Sequence, residues 1–456
     1  MRFWSILLSV TALLTAPCSA AAETSLREAV RAAVRGHPAV AASRAAQRSS
    51  AWEIMQARSR LLPTVDLRGN AGPNRIDQPE GFAPDVNNEW RLQREIALTV
   101  RQILYDGGER INDVYRSAAR ADAFSLRVAD QSEKLGLDAV EAYIDVRRQR
   151  AILKLARQNR QRLSGIFKLV QDLTSGGGAP KGDLDQARER LAGADFTIAQ
   201  IEQALQEAEA RYRQVIGSEP KGLVPVAFPR GVPKTRTAAV ATAVAGNPGI
   251  RALDAERQAA EYALEQADAG YYPTVGLEGI ASTGHDIGGT PGSSTSLTGQ
   301  VTLSWNLYQG GGTTYRKRAL GEKVNQALAE KQTKVREISE EVDRAFAAYS
   351  IGTKRVAAAR AQLAANTGVI AAYQEEYKLA KRSLLDLLDA ENARFTSQFQ
   401  LTSAEAVHRF AAYQLLATMN RLLKTLDISA PAEARSDYLE QTRQGVFSLD
   451  IEPLRQ

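Results

Sequence analysis

The chain is written twice, and that duplication constrains its fold more than any other feature. Ala29-Val30 followed by Gly36-His37-Pro38 returns as Ala239-Val240 followed by Gly246-Asn247-Pro248, a shift of 210 positions. At the same shift, Leu62-Pro63-Thr64-Val65 returns as Tyr272-Pro273-Thr274-Val275. Leu104-Tyr105-Asp106-Gly107-Gly108 returns as Leu307-Tyr308-Gln309-Gly310-Gly311, now shifted by 203, and Asp183-Leu184 meets Asp386-Leu387 at that same 203. The change of shift falls between the two strand motifs of each half, where a surface loop absorbs it. The repeats order the chain into five segments: a leader over 1–22, a first repeat over 23–217, a Pro-rich linker over 218–233, a second repeat over 234–428 and a polar tail over 429–456.

The leader reads as a secretory signal peptide. Arg2 supplies the positive start, Phe3 to Ala16 is apolar, and Ala20-Ala21-Ala22 offers a small-x-small cleavage site before Glu23. Cys18, the only cysteine, closes the apolar stretch and raises a competing lipoprotein reading; Pro17 and Thr15 before it fit lipid attachment poorly. With one cysteine, a soluble zinc or redox protein is excluded. The net charge of +6 is spread through alternating signs, so no basic block marks a nucleic-acid surface. Aromatic content of 6% beside 44% hydrophobic residues predicts long helices packed through small side chains. No later stretch reaches the roughly 18 consecutive apolar residues of a membrane helix. If the exported chain crosses a bilayer, it does so with strands.

Each half predicts the same elements. A short helix ends at Gly36 or Gly246, and Pro38 or Pro248 opens a second helix at its first turn. Past Pro63 the period changes to two: Val65, Leu67 and Ala71 alternate with Asp66, Arg68 and Asn70. Ile96, Leu98 and Val100 alternate with Glu95, Thr99 and Arg101, and Leu297, Val301, Leu303, Trp305 and Leu307 alternate with polar neighbours. Each run is about the 9–11 residues of a tilted membrane strand. Residues 73–88 and 284–294 read as the loops between paired strands. Four strands cannot close a barrel, and an open edge in lipid leaves backbone groups unpaired, so the barrel has to be shared among subunits. From Gly108 to Leu173 nothing interrupts the helical pattern, a rod of roughly 98 Å. Val335, Ile338, Val342, Ala345, Tyr349, Gly352, Val356, Ala359, Leu363, Asn366, Ile370, Tyr373 and Tyr377 keep a strict 3-4 spacing, a heptad seam. Leu184, Ala187, Leu191, Ala194, Ile198, Ile201, Leu205, Ala208, Tyr212 and Val215 repeat it, which predicts an antiparallel coiled-coil hairpin in each half, reversing at 175–182 and 379–383.

This set of features resembles the TolC-like outer-membrane factor family over most of Glu23 to Ile428. The motifs that carry the resemblance are the Pro-Thr-Val strand starts, the Tyr-Asp-Gly-Gly and Tyr-Gln-Gly-Gly strand ends, and the run from Asp386 to Ala390. The resemblance implies a mainly α fold with a small β part. A homotrimer would build one outer-membrane β-barrel from four strands per chain, continuous with a long coiled-coil α-helical barrel in the periplasm. It also implies an export channel, not an enzyme and without a cofactor, served by a periplasmic adaptor protein and an inner-membrane ABC transporter or efflux pump. Gly-Gly after Leu-Tyr at the strand ends looks more like the type I secretion branch than the multidrug lipoprotein branch. The alternative from another class is a non-porous periplasmic coiled-coil scaffold, which leaves the four amphipathic strands without a role.

The resemblance places a periplasmic gate on Asp183, Tyr377 and Arg382, a selectivity ring on Asp386 and Asp389, and adaptor-contact tips at Gly177 and Ala380. Spacing of three sets the ring carboxylates on one helix face. A competing reading makes Ser383 with Asp386, and Asp183 with Gln186, capping boxes at helix starts. Gly182 and Ala380 depart from the family pattern, in which a hydroxyl residue assists the gate and a glycine sits at the tip. Trp90, Trp305, Tyr271 and Tyr272 read equally as an aromatic girdle at the bilayer interface or as core packing. The glycine run 176–178 before Lys181 lacks the order of a phosphate loop, and no pair of His37, His285 and His408 has metal-ligand spacing.

Overall fold

The computed structural model describes residues 24–76, 89–289, 291–379 and 381–446, so the leader and the tip residue Ala380 lie outside the described residues. The elements run twice through helix, helix, strand, strand, long helix, long helix. The first half holds α1 (Leu26–Gly36), α2 (Pro38–Ser59), β1 (Thr64–Arg75), β2 (Trp90–Tyr105), α3 (Glu109–Ser175) and α4 (Lys181–Ile216). The second holds α5 (Arg236–Gly246), α6 (Pro248–Asp268), β3 (Thr274–His285), β4 (Ser293–Ser304), α7 (Gly312–Lys378) and α8 (Leu384–Thr418). Two short helices follow, α9 (Leu422–Thr425) and α10 (Tyr438–Gln444). The chain is mainly helical, with one small antiparallel sheet.

The repeated motifs mark the ends of these elements. His37 caps α2, its Nδ1 accepting from Ala39 N at 3.1 Å, and its counterpart Asn247 caps α6, its Oδ1 accepting from Ile250 N at 3.1 Å. The Gly-Gly motif is the turn from strand to helix. Gly107 lies at φ +67 against Tyr272, where a Cβ would fall 2.8 Å from the tyrosine Cβ, and Gly310 takes the matching left-handed turn at φ +60. Asp106 then opens α3: its carboxylate accepts from Gly108 N at 3.1 Å and from Arg110 N at 3.2 Å, and pairs with Arg110 Nε at 2.6 Å.

The described residues divide into two compact units. One draws on 138–228 and 356–407, with the start of the chain; the other draws on 34–137, 229–355 and the residues from 408 onward. The second unit holds the sheet, in the order β1-β2-β3-β4, each neighbour antiparallel to the next. Register sets Leu67 opposite Leu98, Leu98 opposite Ala281 and Ala281 opposite Leu297, one row across all four strands. Four strand ends differ from the sequence reading, among them the start of β4 at Ser293, within residues read as loop. β1 continues to Arg75 and β3 to His285, into residues read as loop, because each pairs to its end with a neighbour. β4 stops at Ser304, short of the alternation read through Leu307, because its partner β3 begins at Thr274 after Pro273, which has no N–H to continue the ladder.

The heptad seams face inward. Along α7, Ile338, Val342, Ala345, Val356 and Ile370 are buried, and along α4 so are Ala187, Ala194, Ile201, Ala208 and Tyr212. Each fully buried aliphatic side chain of this kind contributes about 1.5–3 kcal/mol. The stretch read as a linker is pinned in the first unit, where the single Tyr143 O–H proton is shared between Thr24 O at 2.7 Å and Val224 O at 2.9 Å. The stretch read only as a polar tail supplies α10, with Tyr438 and Leu439 buried in the second unit beside Ile54, Val114 and Ala118. Two buried carboxylates of α3 hold this end of the chain. Glu133 accepts from Leu422 N at 2.5 Å and Leu423 N at 3.3 Å, and Asp122 accepts from Tyr438 N at 2.8 Å and Leu439 N at 3.0 Å. Each caps the N-terminus of a short helix where unpaired N–H groups and the helix dipole favour negative charge.

Candidate functional site

The sheet separates apolar from polar side chains by face. Alternation along the strands and the register across them gather Val65, Leu67, Ile96, Leu98, Val100, Leu277, Leu297, Val301 and Leu303 on one side. These side chains are exposed, Leu297 by 85%, Leu67 by 73% and Val301 by 68%. An apolar surface of this extent, uncovered by any described residue, marks contact with something as apolar as itself. The other face is polar and internally bonded. Arg101 Nη2 meets Glu278 Oε1 at 2.6 Å, Gln300 Nε2 donates to Glu278 Oε2 at 3.0 Å, and the hydroxyls of Ser282 and Ser296 lie 3.0 Å apart. Among the described residues, β1 and β4 each keep one edge without a strand partner. Among the described residues, no helix is long and apolar enough to cross a membrane.

The aromatic candidates take up opposite ends of this sheet. Trp90 pairs with Arg75 at one end. Tyr271 and Tyr272 precede β3 and Trp305 follows β4 at the other, where Trp305 Nε1 donates to Tyr271 O at 3.2 Å. All four are exposed, between 45% and 69%, so they are not core. Tyr105 and Tyr308, also exposed, end the two strand motifs; the repeat itself signalled them.

The hairpin ends lie in the first unit. Between α7 and α8, Ser383 caps the helix start in the way the capping reading expects on its hydroxyl side: Asp386 N donates to Ser383 Oγ at 3.2 Å and Ser383 Oγ donates to Asp386 Oδ2 at 2.7 Å. The second proposed box is not formed. Pro180 is the N-cap of α4 and the helix begins at Lys181, so Asp183 sits inside its first turn with no capping side chain before it. The Gly177 turn, at φ +76, with Gly178 N donating to Leu173 O at 2.8 Å, brings the chain back into helix earlier than an aspartate cap requires.

The structure brings Asp183 near Tyr377: burial, and then the Asp183 charge, hold the tyrosine hydroxyl above its ordinary pKa. Within one chain Arg382 does not reach Asp183. Its Nε and Nη2 meet Glu376 Oε2 at 2.9 and 2.8 Å, its guanidinium lies 4.2 Å from the Tyr373 ring centroid, and Asp386 Oδ2 is 4.0 Å from Nη1. Asp389 is 59% exposed and meets Arg190 Nη2 of α4 at 3.1 Å. Sequence reasoning missed Arg190, and it missed Glu391, an acidic residue buried in the apolar stripe of Leu384, Leu387 and Leu388. A charge at that spacing, followed three residues later by Arg394, was the available signal. Among the described residues, no group of three or more His, Cys, Asp or Glu is placed to hold a metal ion.

Known proteins carry the same two-part pattern. The family model described as outer membrane efflux protein matches residues 29–218 and 239–421. The outer membrane efflux protein BepC of Brucella suis is 29% identical over 431 residues, 92% of this chain and 89% of BepC. The alkaline protease secretion protein AprF of Pseudomonas aeruginosa is 27% identical over 368 residues, 76% of this chain and 74% of AprF. The crystal structure of the outer membrane protein VceC from Vibrio cholerae matches the fold with a TM-score of 0.74 at 14% identity, over 89% of this chain and 97% of VceC. With both halves matched over most of their length, the chain belongs to the outer membrane efflux protein family.

Proposed function

We propose that this protein is the outer-membrane channel of an export system, reaching into the periplasm and working as a homotrimer in which three sheets complete one barrel. The observation that carries the reading is the four-stranded sheet with one exposed apolar face, one polar face and, among the described residues, an unpaired edge at each side. In lipid, backbone groups at such edges have no water to bond, so the edges of β1 and β4 require strands from other copies. The polar face then lines an aqueous passage and the apolar face meets the acyl chains. A non-porous scaffold leaves that apolar face without a function.

The partners follow from the same reading: a periplasmic adaptor protein at the hairpin tips near Gly177 and Ala380, and an inner-membrane ABC transporter or efflux pump beyond it. Asp183, Tyr377 and Arg382 close the periplasmic mouth, the last by contact with an aspartate of the neighbouring hairpin, and Asp386 and Asp389 line it. Type I protein secretion is the branch favoured, supported by the Leu-Tyr-x-Gly-Gly strand ends and by the likeness to a protease secretion protein. The test is assembly and current together. Mass measurement in detergent is expected to give three chains, and the same particles are expected to conduct in planar bilayers. A stable, non-conducting monomer would overturn the proposal.

A further inference from the structure

Among the described residues, Glu391 is the one charged residue buried in the first unit, at 1% exposure. Its carboxylate accepts from Arg394 Nη2 on its own helix at 2.7 Å, from Arg162 Nε on α3 at 3.3 Å and from Gln374 Nε2 on α7 at 3.4 Å. One side chain therefore joins both helices of the α7–α8 hairpin to α3. Two guanidiniums share this one carboxylate, and Arg162 Nη2 and Arg394 Nε are buried without a hydrogen-bond partner. Burial, and then the positive charge of Arg394, hold the Arg162 pKa below its ordinary value. The cluster is over-supplied with positive charge, and Glu391 alone balances it.

Around the cluster the helices touch through apolar side chains. Leu384 and Leu388 of α8 pack with Leu163 and Val170 of α3 and with Ala187 and Ala194 of α4. Such contacts resist separation in proportion to area but oppose small displacements weakly, because one methyl replaces another. A buried ion pair behaves differently. It adds little net stability over apolar packing, yet separating it leaves each charge desolvated and alone. It is either made or broken, which turns a gradual slide into two states.

We propose that Glu391 is a positioning residue for the gate, a buried lock that holds the α7–α8 hairpin against α3 and whose release widens the periplasmic mouth. The inference rests on the channel reading above. Asp389 lies two residues away on α8, so movement of Glu391 carries the mouth with it.

The test measures single-channel conductance and melting temperature on the same trimers of wild type, Glu391→Gln and Arg162→Met. Glu391→Gln leaves the two guanidiniums facing each other without a counter-charge. Arg162→Met keeps the Glu391–Arg394 pair and loses only the tie to α3, so it decides the matter if Glu391→Gln fails to assemble. Raised conductance in assembled trimers is expected of both variants. A lowered melting temperature with wild-type conductance would mean that the cluster only packs, and would overturn the lock. Assembled trimers of wild type and both variants that all carry no current would overturn lock and channel together, whereas a conducting wild type with unmoved variants overturns the lock alone.

Discussion

Asp386 and Asp389 lie one turn apart on α8 and are held by different partners. Asp386 is engaged in the cap with Ser383, and Asp389 in an ion pair with Arg190. Ser383→Ala is therefore expected to lower stability by about 0.5–2 kcal/mol, read as a fall in melting temperature. If Asp389 also lines a passage, Arg190→Gln frees its charge and is expected to shift the reversal potential toward stronger cation selectivity; an unmoved potential would place Asp389 away from the ion path. The two carboxylates of α3 give a prediction in pH. Burial, against two N–H donors each, pushes Asp122 up to about 6 and Glu133 up to about 7; Asp437 adds to the rise at Asp122 and Arg251 opposes it, while Asp130 adds to the rise at Glu133. Both groups bind protons more tightly folded than unfolded, so stability falls as pH rises from about 4 to about 7. For Glu133 the shift corresponds to about 3 kcal/mol. The melting temperature is expected to be higher at pH 5 than at pH 8, and Glu133→Gln to flatten that difference; an equal slope in the variant would remove Glu133 as its source. None of this was legible in the sequence, because Asp122 and Glu133 look like any solvated acid on a long helix until residues 422 and 438 arrive beside them.

At the scale of elements the sequence was more informative. The 3-4 spacing along α4 and α7 named the inward faces, since a helix has one apolar stripe and the period identifies it. The alternation in the strands likewise named the two faces of the sheet. Their ends were harder to read, because a strand stops where its neighbour stops, and that neighbour lies far away in the chain. The start of α4 was misread for a related reason: the local rule favoured Asp183, while the preceding glycine turn set the helix at Lys181. The faces yield the sharpest prediction. Leu98→Arg places a charge in the apolar row between Leu67 and Ala281, and is expected to cost about 2–4 kcal/mol in folding from detergent into bilayers. Thr99→Arg, one residue on, faces the polar side and is expected to fold as wild type. Equal losses in both would mean that the sheet faces were assigned wrongly.

For the whole molecule, the sequence alone shows that four strands are too few to close a barrel, since edge satisfaction is a matter of counting. It could not name what passes through. Relatives described as an efflux protein and as a protease secretion protein match at 29% and 27% identity, so the cargo is a question for the cell. Deleting this protein is expected to remove one or more proteins from the culture supernatant. An unchanged supernatant together with raised sensitivity to small toxic compounds would assign it to the efflux branch instead.

The two carboxylates that hold the end of the chain also impose an order in time. Asp122 and Glu133 are joined to partners 316 and 289 residues further on. Until those residues have been synthesised and translocated, α3 carries two acids whose burial has nothing to offset it, and the segment around them stays hydrated and open. The second unit therefore completes its packing only when residues 422–444 are present, which makes α9 and α10 a checkpoint on synthesis through that point. A chain ending at Thr418 is expected to keep its sheet sequence and both hairpins, yet to remain protease-sensitive between α2 and α3. Wild-type resistance in that truncated chain would show that the pairing of Asp122 and Glu133 with α9 and α10 does not close the second unit.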